Sequence, residues 1–390
     1  MLKNRYLTPF IVEDLQDKMV FVGGPRQVGK TTLCRNFVAE HFSNHAYFNW
    51  DNKADRKAIT ASSWPGDAKL LILDEIHKYR HWKGLIKGEY DKLKETYKFL
   101  VTGSSRLDIY RRGGDSLQGR YHYYRLHPFT LAETEGIASK LSLQSELPIG
   151  QNFHQAAMEI LDLFGGFPEP FVKQSARQLR RWHNEKTERM FREDIMDIEA
   201  IRDIGNMKLL SDILPSRVGS LLSLNVIRED LEVSFRAVSH WMDILEAFYY
   251  HFRIYPFSAK KIRSLKKEPK LYLWDWSEVE DDAARFENLV ASHLLKYVHF
   301  ITDYEGHKAE LYFLRDVDKR EVDFLVTIAG KPWFAVEVKL NDSALSPHIL
   351  YFKERLSIPF VYQVVKKSGV DRLEKGTRIL SAGKFLSGLI

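Results

Sequence analysis

The residues of this chain that could do chemistry begin with a glycine-containing loop that ends in a lysine and two threonines. The loop reads Gly24-Pro25-Arg26-Gln27-Val28-Gly29-Lys30-Thr31-Thr32. Backbone N–H groups in such a loop can surround phosphate groups, because glycine permits the tight turns that point them inward. Lys30 can reach the terminal phosphates, and the Thr31 hydroxyl can hold Mg²⁺. The spacing therefore predicts a site for a nucleoside triphosphate.

The residues on either side of the loop support this prediction. An apolar run over residues 19–22 precedes the glycines, and residues 32–41 follow with the pattern of a helix. A strand, a loop and a helix in this order bring the positive end of the helix to the phosphates. The alternative is a plain turn before a helix, which is the weaker interpretation of so constrained a match.

Two further apolar runs end in polar residues that suit the same site. Residues 70–73 lead into Asp74 and Glu75, and residues 99–101 lead into Thr102 to Ser105. The carboxyl ends of parallel strands meet at one edge of a sheet, so these side chains should gather at the loop. Asp74 can then hold Mg²⁺ through water, and Glu75 can polarise the attacking water. An acidic residue at position 75 favours hydrolysis of the nucleotide over its storage.

Length and composition predict a multidomain protein without a membrane segment. The 390 residues suit two or three domains, 44% of them are hydrophobic, and the net charge is +6. No run of eighteen apolar residues indicates a transmembrane helix, and the first residues lack the apolar core of a signal peptide. The single cysteine, Cys34, excludes an internal disulfide and fits a reducing compartment. We therefore expect a cytoplasmic protein.

A second group of charged residues lies in two strand-like runs near the C-terminus. Glu321 and Asp323 are in the first run, Glu337 and Lys339 are in the second, and a turn around Gly330 separates them. If the hairpin centres on that glycine, Asp323 faces Glu337 and Glu321 faces Lys339. The alternation of apolar residues supports this register, whereas a two-residue turn would shift the pairing by one and mix the two faces.

The predicted pairing of Asp323 with Glu337 suggests a metal site. Like charges directly opposite each other destabilise antiparallel strands, since their Cβ atoms lie about 5 Å apart. A divalent metal between the two carboxylates would convert this repulsion into binding. Lys339, on the same face, could then orient a nucleophilic water or stabilise a phosphate in its transition state. The alternative is a solvated face of paired charges, in which Glu321 neutralises Lys339.

The middle of the chain reads as helices followed by a strongly basic segment. Residues 207–222 and 226–231 have helical patterns, and Ser234 is a plausible N-cap for a helix that ends at Phe248. Strand-like runs before and after the basic segment complete the pattern of a winged helix. Arg236 would lie on the recognition helix, and the wing would carry the residues that neutralise DNA phosphates, namely Lys260, Lys261, Arg263, Lys266 and Lys267. The alternative is a winged helix that only packs against protein.

The order of the phosphate loop, the Asp74-Glu75 pair and residues 101–105 resembles the AAA+ class of P-loop ATPases. Residues 116–120, 126–129 and 165–170 resemble a prokaryotic subgroup of that class with a distinctive C-terminal region. The resemblance implies hydrolysis of ATP with Mg²⁺ and a homo-oligomer.

The same resemblance assigns two further residues. It implies that Ser104 or Ser105 is the sensor, and that Arg120 stabilises the charge of the transition state, in its own subunit or in a neighbour's. An ordinary structural ion pair is the alternative for this arginine.

The residues Asp323, Glu337 and Lys339 resemble the motif of the PD-(D/E)XK nuclease fold. By this resemblance Glu287, on a preceding helix, is the further acidic residue that such folds often carry. The usual proline before the aspartate is absent, since Val322 stands there. Metal-dependent cleavage and a nuclease-like fold that does not cut both remain open.

These inferences predict an α/β protein with four parts. They are an AAA+-type P-loop domain with a doubly wound parallel sheet (1–150), a helical lid (151–205), a winged helix (206–275) and a mixed α/β restriction-endonuclease-like domain (276–390). The predicted function is ATP hydrolysis coupled to the remodelling or processing of DNA. In another form of this prediction, the nuclease is the main activity. The alternative is a nucleotide-controlled switch whose C-terminal domain binds a partner without cutting; the sequence names no protein partner.

Overall fold

The apolar runs of the first 127 residues fold into a parallel sheet. The computed structural model describes residues 4–103, 117–137, 141–195, 203–258, 267–342 and 344–390. The chain divides into two units, residues 1–127 and residues 128–390, which we call the P-loop unit and the second unit. Residues 128–150, which we assigned to the P-loop domain, thus belong to the second unit.

The sheet of the P-loop unit has neighbouring strands that are all parallel, in the order β2-β3-β4-β1-β5. Its strands are β1 (Met19–Gly23), β2 (His45–Asn49), β3 (Leu70–Asp74), β4 (Lys98–Thr102) and β5 (Tyr121–Arg125). Every residue of β1 and β3 is buried, as expected for parallel strands that are covered on both faces. The order places β4 between β1 and β3, so the carboxyl ends of these three strands are adjacent, as the sequence predicted.

Helical segments connect these strands. They are α1 (Thr8–Asp14), α2 (Lys30–Thr32), which continues as π-helical and 3₁₀ turns to His41, α3 (Lys53–Thr60) and α4 (Trp82–Leu93). Asn52 caps α3, because its side chain accepts hydrogen bonds from the N–H groups of Ala54 and Asp55. The core includes Phe21, Trp82 and Phe99, which are buried between the sheet and these helices.

The second unit contains a mixed sheet with the strand order β12-β13-β11-β10-β9-β8-β6-β7. Its strands are β6 (His251–Pro256), β7 (Lys270–Leu273), β8 (Ala309–Arg315), β9 (Glu321–Ile328), β10 (Lys331–Lys339), β11 (Phe360–Val365), β12 (Asp371–Glu374) and β13 (Thr377–Ser381). Strand β9 is antiparallel to both of its neighbours, β8 and β10, whereas β6 is parallel to β8 and β11 is parallel to β10.

The helices of the second unit precede, interrupt and follow this sheet. They are α5 (Leu131–Thr134), α6 (Gln155–Phe164), α7 (Pro168–Lys173), α8 (Ala176–Arg189), α9 (Ile204–Ile213), α10 (Leu224–Asp230), α11 (Phe235–Ala247), α12 (Asp282–Asp303), α13 (Pro347–Arg355) and α14 (Ala382–Leu386). Asp281 caps the 22-residue α12 by accepting a hydrogen bond from the N–H of Ala284 at 2.8 Å. Among the described helices, none combines the length and the apolar character needed to span a membrane.

The elements predicted for a winged helix form, but their strands belong to a larger sheet. Ser234 caps α11 as predicted, since its hydroxyl accepts from the N–H of Ala237 at 3.1 Å. Strand β6 pairs with β7 and also with β8, where Tyr255 faces Tyr312. The boundary predicted at residue 275 therefore runs through a single sheet. The winged-helix assignment itself stays a prediction, and most of the predicted wing, residues 259–266, lies outside the described residues.

The hairpin of β9 and β10 has the predicted register but not the predicted turn. Ala329 and Gly330 form a two-residue turn with positive φ at both positions, 50° and 76°, as in a type I′ turn. The register then shifts by one residue between Pro332 and Phe334, so the interior of the hairpin regains the register that the sequence predicted. We rejected a two-residue turn, and that was wrong, because one bulged residue compensates for it.

Candidate active site and carboxylate cluster

The backbone of the phosphate loop takes conformations that favour glycine. Gly29 has φ 98° and Gly24 has φ 141°. A Cβ atom on Gly24 would lie 2.4 Å from the carbonyl oxygen of Leu126, so any larger residue would displace the loop. Gln27 also has a positive φ, 60°. Alternating backbone conformations of this kind make a concave row of N–H groups that suits an anion.

Lys30 lies buried against the loop that precedes it. Its ammonium group donates hydrogen bonds to the carbonyl oxygens of Gly24 at 2.9 Å and Pro25 at 2.7 Å. The positive charge of Lys30 therefore lies at the phosphate loop before any nucleotide binds. Of the remaining loop residues, Val28 is buried, Thr31 is exposed, and Arg26, Gln27 and Thr32 are half-buried.

Sequence analysis missed a second cation that fixes the loop. Arg5 is buried, and its guanidinium donates to the carbonyl oxygen of Val28 at 2.7 Å and to that of His127. The two carbonyls come from the loop and from the segment after β5. No local pattern marks Arg5, because its partners are far away in sequence.

Asp74, at the end of β3, accepts hydrogen bonds from three hydroxyl groups. Thr31 and Tyr47 both donate to Oδ2 at 2.8 Å, and Thr102 donates to Oδ1. The three donors come from α2, β2 and β4, and the carboxylate is 4% exposed. The structure thus brings Thr31 and Asp74 together, as the predicted Mg²⁺ site requires. These oxygens are the hard ligands that Mg²⁺ prefers, so the residues present fit the ion.

Tyr47 is the other residue of this site that the sequence did not reveal. Burial, followed by the charge of Asp74 and the hydrogen bond to it, raises the pKa of Tyr47. The phenol therefore stays protonated and acts as a donor. The guanidinium of Arg35 lies 4.3 Å from the centre of its ring. The sequence alone does not show that β2, which carries Tyr47, lies next to β3.

Glu75 stands beside Asp74 in a left-handed conformation, with φ 56° and ψ 20°. Its N–H donates to the carbonyl oxygen of Thr102 at 3.1 Å, which ties β3 to β4 beyond the sheet. Burial raises the pKa of the Glu75 carboxyl, against the opposing charges of Lys30 and Lys78. A carboxylate that is more basic than usual is better suited to accept a proton from water.

Arg120 lies at the end of the sheet where β1 begins. The phosphate loop lies at the other end, where β1 ends. It immediately precedes β5, whose first residue, Tyr121, pairs with Met19 at the start of β1. Its guanidinium forms a bidentate ion pair with Asp91 at 2.7 and 3.0 Å. The structure therefore does not bring Arg120 to the loop of its own subunit, and a role in a neighbour's site stays a prediction. Ser104 and Ser105 lie outside the described residues.

In the second unit, an ammonium group lies among the predicted metal-binding carboxylates. Lys270 Nζ is 2.7 Å from Glu321 Oε1, 3.2 Å from Glu287 Oε1 and 3.5 Å from Asp323 Oδ1. The hydroxyl of Tyr272 donates to Glu287 Oε1 at 2.6 Å. We call these three carboxylates, with Lys270, the carboxylate cluster. The cluster joins β7, α12 and β9.

Glu337 and Lys339 form a separate pair beside the carboxylate cluster. Their charged atoms are 2.8 Å apart, and Glu337 is buried whereas Lys339 is partly exposed. Glu321 instead forms ion pairs with Lys270 and Arg315, so the neutralisation of Lys339 by Glu321, which the alternative interpretation expected, is not observed. Burial, followed by the charge of Asp323, raises the pKa of Glu337 to about 7.

The three predicted metal ligands of the second unit are not gathered as closely as one other described group of three. Among the described residues, one group of three or more His, Cys, Asp or Glu brings its ligand atoms within 4.8 Å of one another, and it consists of His183, Asp275 and Glu278. The set of Glu287, Asp323 and Glu337 is not such a group. Asp323 also accepts a hydrogen bond on Oδ2 from the N–H of Val338 at 2.8 Å.

The residues predicted to contact DNA are only partly described. Arg236 is exposed on α11, and Lys267 is exposed before β7. Lys260, Lys261, Arg263 and Lys266 lie outside the described residues.

Comparisons with known proteins support the first part of the sequence analysis. Residues 16–135 match the family model of the AAA domain. Residues 157–278 and 283–385 match the models of two domains of unknown function, DUF8612 and DUF4143. The first match supports the prediction of an AAA-type P-loop domain over these residues.

The whole proteins and the solved structure that resemble this chain have low sequence identity to it. An uncharacterized protein of Mycobacterium tuberculosis is 22% identical over 337 residues, which cover 83% of this chain and 71% of that protein. One from Methanocaldococcus jannaschii is 23% identical over 390 residues, with 88% and 80% covered. The RuvB Holliday junction branch migration motor of Thermotoga maritima is 19% identical at a TM-score of 0.31, with 67% of this chain and 93% of that chain covered.

We predict that Tyr47→Phe weakens ATP turnover through Asp74. The variant removes one of the two hydroxyl donors to Oδ2, and a hydrogen bond to a charged group contributes about 1.5–3 kcal/mol. We expect kcat/KM for ATP to fall by about tenfold or more at limiting Mg²⁺, with a smaller loss at saturating Mg²⁺. The measurement is steady-state phosphate release over a range of Mg²⁺ concentrations.

The control for this test is Tyr97→Phe, which makes the same chemical change elsewhere in the P-loop unit. The Tyr97 hydroxyl donates to the carbonyl oxygen of Pro65 and does not contact Asp74. Equal losses in the two variants, or a loss that does not depend on Mg²⁺, would contradict a positioning role for Tyr47.

Proposed function

We propose that this protein binds ATP with Mg²⁺ and hydrolyses it at the phosphate loop. The observation that carries the proposal is the convergence of Lys30, Thr31, Asp74 and Glu75 at the carboxyl ends of β1 and β3. These residues supply a cation, a hydroxyl, an acceptor and a base on adjacent elements. The match of residues 16–135 to the AAA domain supports the same assignment.

Each residue has a separate role in this proposal. Lys30 would exchange the carbonyl oxygens of its own loop for phosphate oxygens, which are charged and therefore stronger acceptors. Thr31 and Asp74 would hold Mg²⁺, which neutralises the charge that develops on the phosphates during transfer. Glu75 would orient the attacking water and accept its proton.

The test compares Lys30→Ala with Glu75→Gln. Loss of the lysine removes the cation at the phosphates, so both ATP binding and turnover should fall. Loss of the base should leave binding nearly unchanged and reduce kcat by about 10²–10³-fold. The measurements are the binding of a fluorescent ATP analogue and the release of phosphate.

Lys57→Ala serves as the control for the lysine variant, because Lys57 is an exposed lysine on α3 of the same unit. It should leave both quantities unchanged. Undiminished turnover in Lys30→Ala would overturn the assignment of the phosphate loop, and undiminished turnover in Glu75→Gln would overturn that of the base.

We further propose that the second unit engages DNA and that ATP hydrolysis remodels the bound DNA. The support is the basic segment from Ser258 to Glu268, which carries five lysines and arginines against one glutamate. Such a segment can neutralise several phosphates, and it precedes β7 in the chain. The homo-oligomer and the remodelling role remain part of this proposal. A nucleotide-controlled switch that acts on a protein partner is the alternative.

We predict that the combined alanine variant of Lys260, Lys261, Arg263 and Lys266 weakens DNA binding. If all four residues contact phosphates of duplex DNA, the slope of log affinity against log salt should decrease by about 3–4. The measurement is fluorescence anisotropy with single-stranded, duplex and branched DNA, together with the effect of each DNA on ATP turnover. DNA that neither binds nor stimulates turnover would favour the switch.

A matched control variant carries alanine at three lysines and one arginine of the P-loop unit. These residues are exposed and lie at positions Lys53, Arg56, Lys57 and Lys69. An equal loss of DNA binding in this control would show that net charge, and not the basic segment, determines the affinity.

A further inference from the structure

We propose that Lys270 is the resident cation of the carboxylate cluster and takes the place of a divalent metal between two of the predicted ligands, Glu287 and Asp323. The second unit then keeps Glu287, Glu321 and Asp323 together without a metal ion and does not use this site for metal-dependent cleavage. The proposal concerns the second unit alone and does not depend on the ATPase.

The distances around Lys270 are those of an ammonium group and not of a metal. Its three carboxylate contacts, at 2.7, 3.2 and 3.5 Å, surround a group that donates hydrogen bonds. Oxygen ligands of Ca²⁺ or Mg²⁺ lie at about 2.0–2.6 Å, so the same oxygens would have to move inward to bind either ion. In the arrangement described, the three carboxylates therefore contact an ammonium group.

Burial makes the ammonium group a fixed part of the cluster. Lys270 is 3% exposed, and its charge is balanced by carboxylates from β9 and α12. A buried cation without partners would be strongly destabilising, so Lys270 and the carboxylates depend on one another. A divalent ion at the same place would meet like charge at close range.

The backbone on both sides of Lys270 holds the residue in place. Lys270 pairs with Ile254 across the β6–β7 ladder. The carbonyl oxygens of Pro269 and Leu271 accept hydrogen bonds from the N–H groups of Leu222 at 2.8 Å and Gly219 at 3.0 Å. To withdraw the lysine, the protein would have to separate β7 from these neighbours or turn the side chain out of a buried position.

Two further cations lie next to the cluster. Arg315 neutralises Glu321 from β8, and Lys339 neutralises Glu337 from β10. Together with Lys270, three cations face four carboxylates in this part of the second unit. The excess of negative charge is thus small, whereas an open site for a divalent ion would leave several carboxylates unpaired.

The experiment titrates the nucleotide-free full chain with MnCl₂ by isothermal calorimetry and records its thermal unfolding with and without Mn²⁺. The variants are Lys270→Met, Lys270→Met with Asp323→Asn, and Asp323→Asn alone. We expect no difference in Mn²⁺ binding between the wild-type protein and Asp323→Asn. We expect Lys270→Met to bind Mn²⁺ about tenfold or more tightly than the wild-type protein, because one like charge has been removed.

Thermal unfolding supplies the second readout. Lys270→Met should unfold at a lower temperature than the wild-type protein, and Mn²⁺ should recover part of this loss only while Asp323 is intact. The control Lys331→Met changes an exposed lysine at the start of β10 and should behave as the wild-type protein does. Lys270→Arg keeps the charge and should not gain Mn²⁺ binding.

Two results would overturn the proposal. One is Mn²⁺ binding by the wild-type protein that disappears in Asp323→Asn, since this would place a metal in the cluster beside Lys270. The other is a folded Lys270→Met variant that gains no binding. If Lys270→Met does not fold, the comparison of the wild-type protein with Asp323→Asn still decides the question.

Discussion

The carboxylate of Asp74 is the constraint on which the rest of the P-loop unit depends. It is buried at the end of β3, and a buried charge is tolerated only when hydrogen bonds satisfy it. Hydroxyls from β2, β4 and the helix that follows the loop do so. These bonds fix the relative positions of Thr31, Tyr47 and Thr102, and therefore the edge of the sheet at which the loop, the lysine and Glu75 meet. The chemistry that we propose follows from this single buried charge.

In the second unit, lysines that pair with carboxylates hold neighbouring elements together, as the Asp74 carboxylate does in the P-loop unit. Lys270 joins three carboxylates of the sheet and α12, Lys186 joins Asp275 and Glu278, and the buried Lys296 joins Thr130 and Glu133. Each lysine connects elements that are distant in sequence. Removing one partner of a buried pair is strongly destabilising, because the other charge is left without compensation. Such pairs therefore favour one arrangement of helices and sheet.

The local parts of the site could be predicted from the sequence, because their geometry depends on spacing along the chain. The loop, Asp74 and Glu75 are adjacent to apolar runs, and alternation indicated which residues of β9 and β10 share a face. Residues whose partners come from non-adjacent strands could not be found in this way. Tyr47 depends on β2 lying next to β3, and Lys270 belonged, in sequence, to a basic segment. The bulge before Phe334 could not be predicted for a different reason. The two-residue turn shifts the alternation of apolar residues by one, and the extra residue of the bulge shifts it back, so the sequence pattern shows neither.

The most direct test of the account measures how Mg²⁺ changes ATP affinity in the wild-type protein and in Asp74→Asn. A fluorescent ATP analogue is titrated in Mg²⁺ and in EDTA, and the ratio of the two dissociation constants is compared. We expect the wild-type protein to bind the analogue more tightly in Mg²⁺, and Asp74→Asn to lose this difference while its affinity in EDTA changes little. An Mg²⁺ effect of the same size in both proteins would contradict the central role of Asp74.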